Sequence, residues 1–541
     1  MLRILFVVLF PATFADAQSY DIILRGGSVY DGLGNPPVKA DVGIRKDTIA
    51  FIGNLEGVAA AQDINVEGMA VAPGFINMLS WADGTLLKDG RSMSDIKQGV
   101  TLEIFGEGVS PGPRKRGRRS KLWTTLGGYF DHLEKQGVSP NFASFVGATS
   151  IRTYVLGEAS RSPTAQELQE MKRLVRQAMR EGALGVGSSL IYTPATFAST
   201  EELIELCKAA GEFGGMYITH MRSESDAILE ALNETMTIAK TANVPAEIYH
   251  FKINQARNWN KIDLVLFKMD SARRAGLKIS ADMYPYVASA TGLKERVPTW
   301  AQEGGSAEMR KRFADPQTRQ RILNDMERGF PTKNSDPRQV VILGFKSDSL
   351  SALYKGKRLD EVAKLHGKSA DETVLDLITA EKTSIPALYF LMSEENMRRM
   401  LAQPYVSIGS DAGSMALTDD FQNLGVHPRA YGTFARVLGK YARDEKLFPL
   451  TEAIRKMTSL PAANLRLKDR GVLKAGYYAD IVVFDPERIK DTATFEDPHA
   501  YAEGVIHVFV NGIQVLKHGE HTGEKPGRCV RGPGWTVTSN R

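Results

Sequence analysis

The sequence predicts an α/β fold in which a parallel sheet with its helices is flanked by two β-rich ends. Within 71–467, short apolar runs alternate with amphipathic stretches of helical spacing, which is the pattern of βα units. Strand-like runs separated by glycine-containing turns fill 18–70 and 468–541. Each end is too small to fold alone, so we expect the two ends to pack together as one small domain.

The N-terminus has the pattern of a secretory signal peptide. Arg3 gives a short positive region, residues 4–10 are all apolar, and residues 15–17 form the small-x-small cleavage motif Ala-Asp-Ala. We therefore expect residues 1–17 to be cleaved after Ala17 and the mature protein to be periplasmic or secreted. A buried N-terminal strand is the alternative. No later apolar run reaches about 18 residues, so we expect no membrane span.

Two helix starts and one insertion can be placed inside the α/β region. Thr164 and Glu167 form a capping-box pair, after which apolar residues recur at helical spacing. Ser199 and Glu202 form a second such pair at the start of the next helix. Residues from about 288 to 343 interrupt the alternation with polar, helix-rich sequence, which predicts an insertion.

Composition excludes several classes of protein. The chain has 541 residues, with 68 Lys+Arg against 63 Asp+Glu, nine histidines and two cysteines. Two cysteines are too few for a disulfide-stapled scaffold, an iron–sulfur protein or a zinc finger. The net charge of +5 is too dilute over this length to predict nucleic-acid binding. We interpret the basic segment 114–121 as a solvated loop, with a nucleic-acid patch as the alternative.

Ionisable residues follow four of the predicted strands, at the point where each strand ends. His220 follows GMYIT, His250 follows AEIY, Asp282 follows LKISA and Asp411 follows YVSIGS. In α/β proteins, the carboxyl ends of parallel strands carry the chemistry. A single strand-end histidine is more often a hydrogen-bonded core residue, but two histidines and an aspartate that meet there suit a zinc ion.

Ten short motifs occur in the same order as in one known family. They are YDIILRGGSVYDGLG at 20, VAPGFIN at 71, QGVT at 98, RSPTAQELQEMKRLV at 161, THMRSES at 219, DMYPYVASATGL at 282, GSDAGS at 409, HPRAYGTFARVLGKY at 427, LPAANLRLKDRGVLKAGYYADIVVFD at 460 and GEKPGR at 523. With these motifs the chain resembles the amidohydrolase superfamily, and within it the N-acyl-D-amino-acid deacylase (D-aminoacylase) branch. The resemblance implies a (β/α)8 TIM-type barrel with a small β-sandwich formed by both termini.

The resemblance also assigns roles to individual residues. It implies that His220 and His250 are the imidazole ligands of a zinc ion and that Asp411 is the catalytic acid/base. The residues that it places in the substrate pocket are Arg222, Lys252, Tyr284 and Ser289. Arg429 is interpreted equally well as a bidentate hydrogen-bond donor to a substrate carboxylate or as a residue that links a loop to a helix.

Two departures from the family bear on the metal site. Where the family has a His-x-His pair, this chain has Leu79 and Trp81, neither of which can bind zinc. The cysteine ligand that the deacylases place after the GVT strand is also absent. Glu107 lies within about one residue of that position and is our predicted third ligand, with Glu103 as its rival. A role for Glu107 in loop hydrogen bonding alone is the alternative. We therefore expect one zinc ion per chain.

The predicted function is zinc-dependent hydrolysis of an amide bond by metal-activated hydroxide, with N-acyl-D-amino acids as the substrate class. Another amidohydrolase chemistry, on a cyclic amide, a dipeptide or a carbamoyl group, is the first alternative. A metal-free, non-catalytic relative that acts as a binding protein is the second. The expected partner is a small-molecule N-acyl amino acid or related amide, not nucleic acid. The sequence leaves the oligomeric state open.

Overall fold

The computed structural model describes residues 20–115, 122–328, 335–418, 421 and 425–536. The predicted signal peptide, residues 1–17, and six of the eight residues of the basic segment 114–121 lie outside this part of the chain. Among the described residues, none of the helices combines the length and the apolar character that a membrane crossing requires.

A ring of parallel strands forms the centre of the described part of the molecule. Its third strand is interrupted only at Phe145, and counting its two pieces as one gives eight strands, which we number in chain order. The eight strands are Phe75–Asn77, Val100–Phe105, Asn141–Ser144 with Val146–Gly147, Gly185–Ser189, Met216–His220, Ala246–Ile248, Ile279–Met283 and Val406–Ile408.

Backbone hydrogen bonds close this ring into a barrel. Strands 1 to 3 form one parallel sheet, strands 3 to 8 form another, and strand 3 belongs to both. The ring closes where the Met78 N–H donates to the Ile408 carbonyl at 3.1 Å and the Asp411 N–H donates to the Leu79 carbonyl at 2.8 Å. The predicted TIM-type barrel is therefore confirmed.

Helices surround the barrel. They cover the outer face of the barrel, and strands such as Val100–Phe105 and Met216–His220 are buried along their whole length. The helices of the barrel are Ala82–Thr85, Met93–Ile96, Leu126–Gln136, Ala148–Leu156, Ala165–Glu181, Thr200–Gly211, Ile228–Ala242, Ile262–Arg274, Glu394–Leu401, Arg429–Arg436, the π-helical Val437–Asp444, Leu450–Met457 and Ser459–Asn464.

The two predicted capping boxes differ in outcome. The Thr164 hydroxyl accepts from the Glu167 N–H at 3.3 Å, and the Glu167 carboxylate accepts from the Thr164 N–H at 2.8 Å, so the first box is confirmed. At the second, the Ser199 hydroxyl accepts from the Glu202 N–H at 3.2 Å, but the Glu202 carboxylate pairs with Arg152 at 2.6 Å. Arg152 is buried, and a buried guanidinium left without a partner would be far more costly than an incomplete cap.

The two ends of the chain build one sheet. Ala70–Pro73 pairs antiparallel with Ile481–Phe484, so backbone hydrogen bonds join the N-terminal segment to the C-terminal one. The prediction that the ends pack together is confirmed, and they form a single nine-stranded sheet within the described residues. Its strands are Tyr20–Val29, Val38–Arg45, Thr48–Gly53, Ala60–Asn65, Ala70–Pro73, Ile481–Phe484, Val505–Val510, Ile513–Lys517 and Glu520–His521.

A unit with its own hydrophobic core lies between barrel strands 7 and 8. Its core begins at Leu293, inside the predicted insertion, but continues to Leu391, well past residue 343. Helical periodicity shows which face of a helix is apolar but not which core that face joins, so the sequence pattern did not show this extent. The unit contains the antiparallel strands Ser289–Gly292, Val340–Ile342 and Pro386–Tyr389 and the helices Gly305–Ala314, Pro316–Glu327, Asp348–Tyr354, Leu359–His366 and Ala370–Ala380.

Candidate metal centre and substrate cavity

A cavity of about 470 Å3 lies at the carboxyl ends of the barrel strands, between the barrel and the inserted unit. Both parts of the structure supply its walls. The lining residues are Trp81, Glu107, Ile191, Tyr192, His220, Glu224, His250, Lys252, Asn254, Gln255, Tyr284, Ser289, Ala290, Thr291, Glu295, Arg296, Ser335, Tyr389, Leu391, Asp411, Ala412, Gly413 and Arg429.

Three buried side chains converge in this cavity. Glu107 Oε1 lies 2.8 Å from His220 Nδ1 and 3.1 Å from His250 Nε2. The three ligand atoms lie within 4.8 Å of one another, and the described part of the chain holds no other such cluster of histidine, cysteine or carboxylate residues. Two imidazole nitrogens and one carboxylate oxygen are the protein ligands of many zinc hydrolases. The residues present therefore fit a zinc ion.

The ends of the barrel strands place these three side chains. Glu107 follows strand 2, His220 is the last residue of strand 5, and His250 follows strand 6. Before Glu107 the chain bends at Gly106, whose φ of +106° and close approach to the Phe145 carbonyl leave no space for a Cβ. His250 has a φ of +37°, a left-handed conformation that costs about 1–2 kcal/mol and is typical of functional sites.

A buried ion pair lies beside the two histidines. Lys252 Nζ lies 2.6 Å from Glu224 Oε1 and 2.7 Å from His250 Nδ1. The same Glu224 oxygen lies 3.0 Å from His250 Nδ1 and 3.6 Å from His220 Nε2. Glu224 thus faces the ring nitrogens that point away from Glu107. At 3.0 Å, the Glu224 carboxylate can accept an N–H from His250 Nδ1 and so leave His250 Nε2 free to bind a metal, whereas 3.6 Å to His220 Nε2 is too long for a hydrogen bond.

Neighbouring charges decide which of these groups are ionised. Burial opposes a charge on Glu107, but His250 and His220 lower the pKa of this carboxyl below its usual range. Burial also opposes a charge on Glu224, and Lys252 with the two histidines lowers its pKa in the same way. For Lys252, Glu224 outweighs burial and raises the pKa above its usual value. Glu107 is therefore an anion, as a carboxylate that binds a metal must be, and Lys252 is a cation.

Asp411 follows strand 8 and is held through both carboxylate oxygens. Its Oδ1 accepts from the indole Nε1 of Trp81 at 3.0 Å, and its Oδ2 lies 2.8 Å from Arg429 Nη1. The Arg429 guanidinium in turn lies 4.4 Å from the centre of the Tyr284 ring. Arg429, the first residue of the helix Arg429–Arg436, therefore links this helix to the loop after strand 8, in line with the second of its two predicted roles.

Comparison with known proteins bears out the resemblance in the sequence. The profile of the Amidohydrolase family matches residues 62–516. The chain belongs to the amidohydrolase family. A D-aminoacylase from Alcaligenes xylosoxydans xylosoxydans is 36% identical over 528 residues, which cover 95% of this chain and 98% of the relative. This amidohydrolase is thus a hydrolase that acts on amide bonds, as predicted.

Two solved structures share the fold of this amidohydrolase. One is a D-aminoacylase, described for its binuclear metal center with one-metal activation and second-metal attenuation, with 35% identity and a TM-score of 0.79. The other is N-acyl-D-glutamate deacylase from Bordetella bronchiseptica, complexed with zinc and a phosphonate inhibitor, with 28% identity and a TM-score of 0.80. Each match covers 95% of this chain and 100% of the other. Hydrolysis by this amidohydrolase is accordingly metal-dependent.

Arg222, which the resemblance placed in the substrate pocket, does not line the cavity of this amidohydrolase. Its guanidinium Nη2 lies 2.9 Å from the Glu234 carboxylate, and its Nη groups donate to the carbonyls of Thr196 and Ala198, both at 2.9 Å. Two residues beyond His220, Arg222 would share its face only if the strand continued, and the strand ends at His220.

Glu103, the rival third ligand, is also separated from the histidines. It lies within strand 2, and its carboxylate accepts from the hydroxyls of Ser92 and Ser80 in a buried pocket beside Asp95. Glu107, not Glu103, is therefore the glutamate that the structure brings to the two imidazoles.

The structure collects the other predicted residues around one cavity. Those that line it are Glu107, His220, His250, Lys252, Tyr284, Ser289, Asp411 and Arg429. Glu224 was not predicted, although a carboxylate four residues after His220 in THMRSES was a usable signal. Glu295, Arg296 and Tyr389, which form a wall of the cavity from the inserted unit, were not predicted either, because no local motif marks them.

Proposed function

We propose that this amidohydrolase removes the acyl group from N-acyl-D-amino acids with the help of a zinc ion. The observation that carries the proposal is the convergence of Glu107, His220 and His250 in the same cavity as Asp411. The substrate class is supported by two relatives of 36% and 31% identity, a D-aminoacylase and an N-acyl-D-glutamate deacylase.

One zinc ion per chain fits the available donors. Glu107 Oε1, His220 Nδ1 and His250 Nε2 would hold it, with one position left for a reactant. Bound there, zinc lowers the pKa of a coordinated water and polarises the amide carbonyl. Leu79 and Trp81 offer no ligand atom for a second ion. We therefore expect this chain to hold fewer metals than the binuclear D-aminoacylase.

The side chains of the protein supply proton transfer and substrate binding. Asp411 accepts one proton from the attacking water and returns it to the leaving nitrogen, so that amide and water become carboxylate and amine. Lys252, kept charged by Glu224, lies in the cavity wall, where its positive charge favours the α-carboxylate of the substrate. Tyr284 and Ser289 line the same cavity and shape the position of that carboxylate.

A second proposal concerns the compartment. The pattern of residues 1–17 supports export and cleavage after Ala17, and hence action in the periplasm or outside the cell. N-terminal sequencing of the protein recovered from a periplasmic fraction tests this. We expect the chain to start at Gln18, and an uncleaved Met1 on the mature enzyme would contradict the proposal.

A panel of enantiomeric substrates tests the proposed reaction. We expect the zinc-loaded enzyme to hydrolyse N-acetyl-D-amino acids and to leave the L-enantiomers intact. His220→Ala is expected to lose both zinc and hydrolysis, whereas His366→Ala, on a helix of the inserted unit, keeps both. Hydrolysis of L-amides alone, or of cyclic amides alone, would contradict the substrate class. Failure with every amide would contradict the reaction.

A further inference from the structure

The indole of Trp81 lies in the cavity beside the proposed acid/base. Its Nε1 donates to Asp411 Oδ1 at 3.0 Å, which is a normal length for this kind of hydrogen bond. Trp81 lines the cavity and is 37% exposed, an unusual position for so large an apolar side chain. An indole N–H can only donate, so it favours the orientation in which an Asp411 oxygen faces it.

Backbone hydrogen bonds fix these two residues relative to each other. The Trp81 N–H donates to the Ala412 carbonyl at 2.9 Å, and the Asp411 N–H donates to the Leu79 carbonyl at 2.8 Å. The segments that follow strands 1 and 8 are thus linked on both sides of the pair. Asp411 has a φ of +50°, a conformation that a residue other than glycine keeps only where its surroundings hold it.

The two partners of the Asp411 carboxylate, an ion pair with Arg429 and a hydrogen bond from Trp81, differ in their exposure. Arg429 is 4% exposed and holds Oδ2 from the protein interior, whereas Trp81 holds Oδ1 from the side that is open to the cavity. A carboxylate that is held at both oxygens keeps one orientation about the Cβ–Cγ bond of the aspartate. Without the indole N–H, Oδ1 would have no donor among the residues that the structure describes, and the carboxylate could turn away from the reactants.

We propose that Trp81 is a positioning residue for proton transfer, whose indole N–H keeps Asp411 aimed at the reacting amide. Asp411 takes a proton from the attacking water and delivers it to the leaving nitrogen as the carbon–nitrogen bond breaks, so the carboxylate ends unchanged. Its orientation therefore matters in both transfers. This inference rests on the proposed function only for the role of Asp411.

Replacement of the indole by a benzene ring tests the proposal. Trp81→Phe keeps an aromatic wall but removes the N–H. We expect kcat to fall about tenfold, since a hydrogen bond to a charged group is lost at a partly exposed position. KM and zinc content are expected to stay unchanged. Trp300→Phe is the matched control, because Trp300 Nε1 donates to Asp325 Oδ2 at the same 3.0 Å but lies in the inserted unit.

A rescue variant separates positioning from structure. Trp81→Gln returns an N–H donor without adding an imidazole that could bind a metal, and we expect it to regain part of the kcat that Trp81→Phe loses. The proposal is overturned if Trp81→Phe keeps the wild-type kcat, if only KM changes, if zinc or thermal stability is lost together with activity, or if Trp81→Gln does no better. The kcat and KM of each variant are compared with those of the wild type on whichever amide the wild type hydrolyses. Failure with N-acyl-D-amino acids therefore contradicts the proposed substrate class and not the role of Trp81.

Discussion

Glu107 and Glu103 are buried glutamates only four residues apart, yet their environments are opposite. Glu107 contacts two imidazoles, whereas Glu103 contacts two serine hydroxyls and the neighbouring carboxyl of Asp95. Against burial, His250 and His220 lower the pKa of Glu107, while burial and Asp95 raise the pKa of Glu103 well above its usual range. A buried glutamate thus becomes an anionic metal ligand only where cationic or metal-binding neighbours stabilise its charge.

The largest effect is expected when Glu107 is neutralised, and the same substitution at Glu103 serves as its control. Glu107→Gln removes the anionic ligand, and we expect kcat/KM to fall on the order of 10³-fold together with bound zinc. Glu103→Gln makes the same chemical change in a pocket that does not contact the histidines, so zinc content should not change. Elemental analysis and initial rates measure both. Zinc loss in Glu103→Gln with retention in Glu107→Gln would reverse the assignment.

A smaller effect is expected at Glu224, which contacts the histidines without facing the metal position. Glu224→Gln should weaken zinc binding about 10- to 100-fold, because the carboxylate no longer holds the His250 imidazole. Competition with a zinc chelator measures the affinity. Glu234→Gln is the control, since Glu234 pairs with Arg222 outside the cavity. An unchanged zinc affinity in Glu224→Gln would show that Glu224 serves Lys252 alone.

Lys252 and Arg222 are two cationic residues that differ in position, because Lys252 lines the cavity and Arg222 does not. Lys252→Met is expected to raise KM at least about tenfold for a substrate with an α-carboxylate, because a positive charge in the cavity wall is lost. Arg222→Met should leave KM unchanged, since its guanidinium pairs with Glu234 and does not line the cavity. Steady-state kinetics at matched zinc content decide the point. A raised KM in Arg222→Met would return Arg222 to the substrate pocket.

The smallest effect concerns stability around Glu103. Burial raises the pKa of Asp95 to about 7, above its value of about 3.9 in an unfolded chain. The folded protein therefore keeps a proton that the unfolded chain releases, and this contribution to stability is full below about pH 4 and is lost as pH rises to about 7. In Asp95→Asn this pH dependence should disappear, shifting Tm relative to wild type by about 2–4 °C between pH 5 and pH 7. An identical Tm difference at both pH values would contradict the raised pKa.

The sequence was most informative where a feature is local. His220, His250 and Asp411 each terminate an apolar run, so strand ends alone predicted that they would meet at one end of the barrel. Trp81 could not be linked to Asp411 in this way, because their contact joins segments that follow the first and last strands. Arg222 was misplaced because the alternation of strand faces does not continue past His220.

The inserted unit shows a second limit of sequence patterns. Its extent beyond residue 343 depends on which core each amphipathic helix joins, and local periodicity carries no information about that choice. As a result, the wall that this unit gives to the cavity, including Glu295 and Arg296, was not predicted.

The central claim is that Glu107, His220 and His250 bind a single zinc ion on which hydrolysis depends. The most direct test adds zinc stepwise to the metal-free protein and follows bound metal together with hydrolysis of an N-acetyl-D-amino acid. We expect activity to reach its maximum at one zinc ion per chain. A maximum that requires two zinc ions per chain, or full activity in the metal-free protein, would contradict the claim.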